Sequence, residues 1–465
     1  MQLTAVFDIG RTNKKLLLFD EQYRVVEEIS ETLPETTDED GFPCDDLPLL
    51  TRWVRDHWQQ LRRRIEQSSD SVQLRAVNVA AYGATLVHID ETGQPVAPVY
   101  SYLKPFPPEL TEHFYTTYGE AMTLARQTAS PPMGMLNSGL HLYWLKHVRP
   151  EVWARVRWSL HLPQYISFLI TGQPTSDYTS IGCHTALWDF EQHRYHDWVL
   201  REGLHTKLAP IVGQPIVQYA DGVPLGGGLH DSSSVIMAYL SRCQGEFMVL
   251  STGTWCITLN PFNTQPLTDE QLHRDCLSYL TVGGAFIKAS RLFMGREHDY
   301  QVARIAEHFN LTPDFSRQVP YRADLVERLR QSDQNRLQPA CMAGTGPFPN
   351  QPPGDWDVSA FASAEEAYTR LMIDLVELLT ISIKLIDQNT PTIYVDGGFA
   401  RSQLFMQLLA NRFPEKAVYT SLLPQATAIG AALYIRQDDE PVAGWTFERV
   451  LPTQEASLPT ATQRS

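Results

Sequence analysis

One order of elements occurs twice in this chain, and that restricts its fold more than any other feature. Near the start, LTAVFDIG and KKLLLFDE are short apolar runs separated by a polar turn, and RVVEEI follows after another. Together they predict a three-strand antiparallel meander. An amphipathic helix over Leu47 to Ile65 and a strand over Leu74 to Ala80 come next. Beyond Ser241 the pattern begins again: FMVLST and TWCITLN join at Gly253, and TVGGAFIKA offers a third run. A helix over Ser363 to Asp387 opens with a capping box of Ser363 and Glu366 and sets Leu371, Leu375, Leu378, Leu379, Ile383 and Ile386 on one face. The strand TIYVDGG, a helix from about Ser402, the short strand AVYT and the small-residue helix QATAIGAALYI complete the second round. Between the rounds, Val152 to Ile170 has helical spacing, with Trp153, Trp158 and Phe168 expected in the core.

Size and composition set the bounds. At roughly 100 to 200 residues per domain, 465 residues make about two to four units with cores of their own. We expect a lobe over 1–240, a second over 241–436, and a polar tail over 437–465 that is extended or loosely attached. No stretch has the roughly 20 uninterrupted apolar residues of a membrane span, and the start MQLTAVFDIG reads as a strand, not a signal peptide. The expectation is a cytoplasmic protein without membrane contact. A net charge of -15 argues against nucleic acid, and the basic run Arg62 to Arg64 reads as a solvated helix face. The six cysteines are too scattered for a zinc or redox motif.

Four short stretches are candidates for chemistry. In FDIGRTNKK a strand ends in Asp8 and turns through glycine into Thr12, Asn13 and Lys15. Amides, a hydroxyl and a cation at one turn suit phosphate, and Asp8 suits magnesium held through water, although such a turn is often only a turn. STGTWCITL gives Gly253 a tight bend flanked by the hydroxyls of Thr252 and Thr254. YVDGGFARSQLF leads from a strand through Gly397 and Gly398 into a helix at Ser402, a place where a nucleotide can rest against glycine and a helix N-terminus. GGGLHDSSS places Asp231 among small residues, open to a substrate hydroxyl as a general base or, alternatively, serving as a helix cap. His230 beside it reads more readily as a hydrogen-bonded structural histidine than as a catalyst.

Singly these are ambiguous, but their order is not. A D-x-G turn at the N-terminus, a G-x-x-D loop near the midpoint, an S-x-G-T hairpin about 20 residues on and a D-G-G helix entry near the end resemble the FGGY carbohydrate kinases over roughly residues 3 to 435. HDSSS followed by LSTGTW is most similar to the branch acting on the deoxyketoses L-rhamnulose and L-fuculose. The resemblance implies an α/β fold of two actin-like, ribonuclease H-like lobes with an interlobe cleft. It also implies ATP and Mg2+ as cofactors, and it leaves a homodimer open. By position it makes Asp231 the base that deprotonates the sugar's primary hydroxyl and sets Asp8 near magnesium. Thr12, Asn13 and Lys15 fall near the transferred phosphate, Gly253, Thr254, Gly283 and Gly284 at the nucleotide phosphates, and Gly397, Gly398 and Ser402 beside the adenosine.

The chain departs from the pattern in two places. Arg11 stands where many relatives carry a small residue, and YSYLK, Tyr100 to Lys104, replaces a W-x-D-x-R type segment. Tyr82, Thr85, Tyr102, Lys104 and His230 are therefore the sugar-site candidates. The expectation is an ATP-dependent kinase acting on the terminal hydroxyl of a ketose, with a deoxyketose favoured. The alternatives are xylulose, ribulose or glycerol as substrate, or a non-catalytic nucleotide-binding scaffold.

Overall fold

In a computed structural model, residues 1–68, 72–423 and 425–453 are described. They divide into two compact units: Met1–Gly245 with Leu259–Ala289 and Leu423–Trp445, and Glu246–Thr258 with Ser290–Leu422 and the residues from Thr446 on.

Unit 1 opens with the expected meander: β1 (Gln2–Ile9), β2 (Asn13–Phe19) and β3 (Val25–Thr32) pair antiparallel in sequence. Helix α1 (Leu47–Gln67) starts at Asp46, whose carboxylate accepts from Leu49 N at 2.8 Å. The chain returns as β4 (Gln73–Ala81), which lies parallel to β1 with Asp8 opposite Ala80. Side chains alternate along β1. Leu3, Ala5, Phe7 and Ile9 join Trp53, Trp58 and Leu61 of α1 in one apolar core. The even positions, including Asp8, turn to the opposite face.

The expected continuous helix over Val152 to Ile170 is instead broken. Trp158–His161 form a strand, and α2 (Leu162–Thr171) begins afresh with a proline in its first turn. Pro163 explains the break: it has no N–H to donate and is tolerated only near a helix start. Trp153, Trp158 and Phe168 are half-buried at the edges of cores, not inside them. After α2 come β5 (Ile216–Ala220), β6 (Val223–Gly226) and the two-residue β7 (Leu229–His230), then α3 (Asp231–Arg242). β6 and β7 both run parallel to β4, and β7 sets Leu229 opposite Ala80. Along the sheet the order is β5-β6-β4-β1-β2-β3.

The second sheet contains β8 (Phe247–Thr252), β9 (Cys256–Asn260), β10 (Cys276–Leu280) and β11 (Phe286–Leu292), followed by α4 (Met294–His308) and the long α5 (Ala364–Lys384). β12 (Thr392–Gly397), α6 (Gln403–Arg412), β13 (Ala417–Leu422) and β14 (Thr446–Val450) close it in the order β10-β11-β9-β8-β12-β13-β14. β10, absent from the sequence expectation, makes the run richer than a simple meander. The Ser363 hydroxyl accepts from Glu366 N at 3.2 Å, but the Glu366 carboxylate reaches one residue further back than a capping box requires, to Ala362 N at 3.0 Å. Leu371, Leu375, Leu379 and Ile383 are buried against Met248, Leu250, Ile393 and Val395. Where the C-terminal residues read as extended, β14 pairs antiparallel with β13. The tail from residue 454 lies outside the described residues.

The small-residue helix Ala426–Arg436 belongs to unit 1 and packs on α3 and β4. Asn78 on β4 donates to Ala431 O at 2.9 Å, and Ser234 on α3 donates to Thr427 O at 2.8 Å. Gly430 allows this approach, because a Cβ there would stand 1.8 Å from Ser234 O. Gly430→Ala should therefore lower the unfolding free energy by about 1–3 kcal/mol, read as a lower urea midpoint; an unchanged midpoint would show that the two helices are not held this closely.

Candidate active site

The carboxyl-terminal ends of the parallel strands β1, β4 and β7 bring two acids together. Asp8 is next to last in β1, and Asp231 follows β7 directly as the first residue of α3. Because Asp8 and Leu229 face the same residue of β4, Ala80, the two chains pass it on opposite sides, about 10 Å apart at strand spacing. The Asp231 charge adds to burial in setting the Asp8 pKa. Asp8 is pushed up to about 6, first by burial and then by the Asp231 charge, against the opposing pull of Lys15. Lys15 is the cross-strand partner of Asp8 and also pairs with Glu28 at 3.0 Å.

Asp231 is half-exposed. Its Oδ1 accepts from Ser232 N at 2.5 Å and lies 3.2 Å from His230 Nε2. The cap position falls to His230, whose side chain makes no capping bond. His230 is buried: its Nε2 is also 3.2 Å from Cys183 Sγ, its Nδ1 is 3.4 Å from Ser233 Oγ, and its N–H donates to Thr179. Burial depresses its pKa, with Asp231 pulling the other way. Gly83 makes room for this imidazole, since a Cβ there would sit 2.9 Å from the ring.

Among the described residues no group of three or more His, Cys, Asp or Glu forms a metal cage. Magnesium does not need one. It is usually held by one or two carboxylates together with waters and substrate phosphates, and a divalent cation offsets the burial and the Asp231 repulsion that raise Asp8. Asp8 therefore fits such an ion, with Asp231 close enough to add to the field.

Unit 2 contains a cavity of about 910 Å³, a size suited to a small-molecule ligand. Its lining includes Gly253, Thr254, Gly398 and Ser402. Thr252 joins the two glycine turns: its carbonyl accepts from Gly398 N at 2.9 Å, and its hydroxyl donates to Asp396 O at 2.6 Å and accepts from Phe399 N at 3.1 Å. Gly397 packs so tightly that a Cβ would stand 2.1 Å from Thr252 O, and its φ of +93 also requires glycine. Ser402 caps α6 through Phe405 N at 3.3 Å.

Opposite the turns, α4 presents Gly295, His298, Asp299, Val302 and Ala303 along one face. His298 Nε2 lies 3.2 Å from Tyr368 Oη, and the ring meets Phe399 edge-on at 4.9 Å. Sequence reading missed these walls. The helical spacing from Gly295 was visible, but His298 and Asp299 look like surface residues until the fold places them.

The remaining candidates lie in unit 1. Thr12 and Asn13 are exposed at the β1–β2 turn, closed by Gly10 N donating to Asn13 O at 2.9 Å. Gly283 and Gly284 form a turn against Tyr178, apart from the walls of the unit 2 cavity. Thr85 is buried and its carbonyl accepts from Leu162 N, while Tyr82 is buried with its hydroxyl on Asp45. Tyr102 is half-buried beside Tyr82, 6.3 Å between ring centres. Lys104 is engaged by Asp38 and Asp40.

Comparison with known proteins agrees with this architecture. The description "FGGY family of carbohydrate kinases, N-terminal domain" matches residues 3–208, and "Carbohydrate kinase FGGY, C-terminal domain" matches residues 244–442. The chain belongs to the FGGY family of carbohydrate kinases, an α/β fold of two actin-like lobes. It is similar to a rhamnulokinase of Halalkalibacterium halodurans, 21% identical over 454 residues and 92% of each chain. An L-fuculokinase of Salmonella typhi is 24% identical over 274 residues, 55% of each chain. Among solved structures, a carbohydrate kinase from Novosphingobium aromaticivorans aligns with a TM-score of 0.80 at 25% identity over 96% of each chain. A xylulose kinase from Lactobacillus acidophilus aligns at 0.75 and 16% identity, over 97% of this chain and 94% of its own. No helix among the described residues is long and apolar enough to cross a membrane.

The raised Asp8 has a measurable sign. Its folded pKa of about 6 lies above the unfolded value of 3.8, so in metal-free buffer its contribution is neutral below about pH 4 and becomes destabilising as pH rises through 6. Asp8→Asn should gain on the order of 1–3 kcal/mol over wild type at pH 7.5 and almost nothing at pH 4 in urea titrations. Equal gains at both values would contradict the raised pKa of Asp8.

Proposed function

We propose that this carbohydrate kinase transfers the terminal phosphoryl group of ATP to the terminal hydroxyl of a ketose, with a deoxyketose such as L-rhamnulose or L-fuculose favoured. The carrying observation is Asp231, a half-exposed acid at a strand end beside a second acid, Asp8, whose pKa registers its charge. Support for the substrate class comes from relatives named rhamnulokinase and L-fuculokinase.

In this reading Asp231 accepts the hydroxyl proton as the sugar oxygen attacks the γ-phosphorus, and the bond to the β,γ-bridging oxygen breaks to release ADP. The Ser232 N–H and the His230 ring hold the carboxylate by one oxygen and leave the other for the alcohol. Phosphoryl transfer asks a protein mainly for positioning and charge neutralisation, so a single base is enough. Asp8 would hold magnesium, which when bound supplies charge neutralisation at the phosphates. Thr12 and Lys15 border the transferred phosphate, and the Gly253–Thr254 and Gly397–Gly398 turns hold the nucleotide beside Ser402. The unit 2 cavity, lined by His298 and Phe399, would take the adenine of ATP.

Asp231→Asn should lower kcat by about 10²-fold or more while nucleotide affinity changes less than about twofold, measured by coupled ADP release and calorimetry. Wild-type turnover in that variant defeats the role. A screen of L-rhamnulose, L-fuculose, D-xylulose, D-ribulose and glycerol should show ATP consumption stimulated most by a deoxyketose, with the phosphate on a terminal carbon by NMR. Stimulation by glycerol alone would overturn the substrate class.

A further inference from the structure

Arg11 and the Tyr100 to Lys104 segment come together in unit 1 through Tyr102. Arg11 Nη1 donates to Asp45 Oδ2 at 2.8 Å and Nη2 to Glu35 Oε1 at 2.5 Å. Tyr82 donates its hydroxyl to the same Asp45 oxygen. Lys14 Nζ donates to Arg11 O at 2.9 Å and lies 3.5 Å from Asp45 Oδ1. The guanidinium sits 5.8 Å from the centre of the Tyr102 ring. Asp45 thus fixes where Arg11 and Tyr82 point, although neither is near it in sequence.

Three properties of this cluster suit a neutral polyol. Two cations, Arg11 and Lys14, face two carboxylates, Asp45 and Glu35, so no surplus positive charge invites an anion. A guanidinium carries five N–H groups; Asp45, Glu35 and the Tyr82 oxygen engage three of them, and the Arg11 side chain remains 29% exposed. The Tyr102 face beside the fork supplies an apolar surface for carbon-bound hydrogens. Lys104 is different: its side chain is 9% exposed and its charge is spent on Asp38 and Asp40, under the Tyr100 and Trp144 rings.

The cluster also adjoins the proposed base. Tyr82 precedes Gly83, whose missing Cβ makes space for His230, and His230 lies 3.2 Å from Asp231. With Asp231 assigned to the primary hydroxyl, the Arg11 donors in the same unit are assigned to the hydroxyls further along the sugar.

We infer that Arg11 is a specificity-determining residue that donates hydrogen bonds to the secondary hydroxyls of the ketose, with Asp45 as the positioning residue that aims it. The inference rests on the ketose-kinase reading above and names the residue that selects among ketoses.

The test measures kcat and KM, for the best ketose and for ATP, in Arg11→Thr, Arg11→Lys and Asp45→Asn, with melting temperatures alongside. Arg62→Ala, which removes an exposed ion pair with Asp221 of 2.6 Å, is the matched control. Arg11→Thr should raise the ketose KM about tenfold or more with the ATP KM within about twofold, and Arg11→Lys should not restore it, because an ammonium lacks the planar fork. Asp45→Asn should shift the ketose KM in the same direction. The kcat/KM ratio between L-rhamnulose and L-fuculose, which differ in configuration at one secondary carbon, should move by about tenfold toward unity in Arg11→Thr. A rise in the ATP KM with an unchanged ketose KM would assign Arg11 to the phosphates. A lowered melting temperature with both KM values unchanged, as expected of Arg62→Ala, would make it purely structural. Either result overturns the inference while the kinase reading stands; a wild type that phosphorylates no ketose removes both.

Discussion

The register of three parallel strands is the constraint on which the site in unit 1 depends. Asp8 and Leu229 oppose the same alanine of β4, so the acid that ends β1 and the acid that follows β7 emerge together at one edge of the sheet. A shift of a single residue in the β1–β4 pairing would turn Asp8 into the apolar core around Trp53, and one in the β7–β4 pairing would move Asp231 along the sheet. The interior specifies that register: Phe7 and Ile9 pack under α1, while Asn78 and Gly430 bring the helix Ala426–Arg436 onto the other face. Burial first, and then the nearby Asp231 charge, make an ionised Asp8 unfavourable and raise its pKa. Functional sites commonly hold such strain, and a divalent cation is its natural relief.

Unit 2 follows the same logic with different chemistry. β8 and β12 run parallel with Thr252 opposite Gly397, and the backbone and hydroxyl of that threonine join the two turns that border the cavity. Gly397 and Gly295 are required sterically, because each lies where a Cβ would strike the backbone of a turn. Glu297 anchors a third segment: its buried carboxylate accepts from Ala340 N at 3.1 Å, Cys341 N at 2.5 Å and Met342 N at 3.0 Å. Charge in this lobe is therefore assigned to backbone amides as well as to ion pairs.

Much of this was legible in the sequence because local rules decided it. Alternation in LTAVFDIG and KKLLLFDE identified β1 and β2, and the apolar stripe from Leu371 to Ile383 identified α5. The order of the four short stretches pointed to the family. Where the reading failed, a longer-range or stronger local effect prevailed. Pro163 divided a segment whose spacing suited one helix, and β10 arose where no alternation was apparent. The partners of Arg11 lie 24 and 34 residues away, so no local pattern announces them. His298 and Asp299 gained meaning only when α4 was laid along a cavity.

At the centre of this account is the claim that Asp231 takes the proton of the acceptor alcohol while Asp8 serves the metal and phosphate side. A crystal structure with a ketose substrate, magnesium and a non-hydrolysable ATP analogue tests it most directly. The account predicts the terminal sugar hydroxyl within hydrogen-bond distance of an Asp231 oxygen, with Asp8 facing the ion directly or through one water. A sugar bound away from Asp231, with that carboxylate contacting only Ser232 and His230, would contradict it.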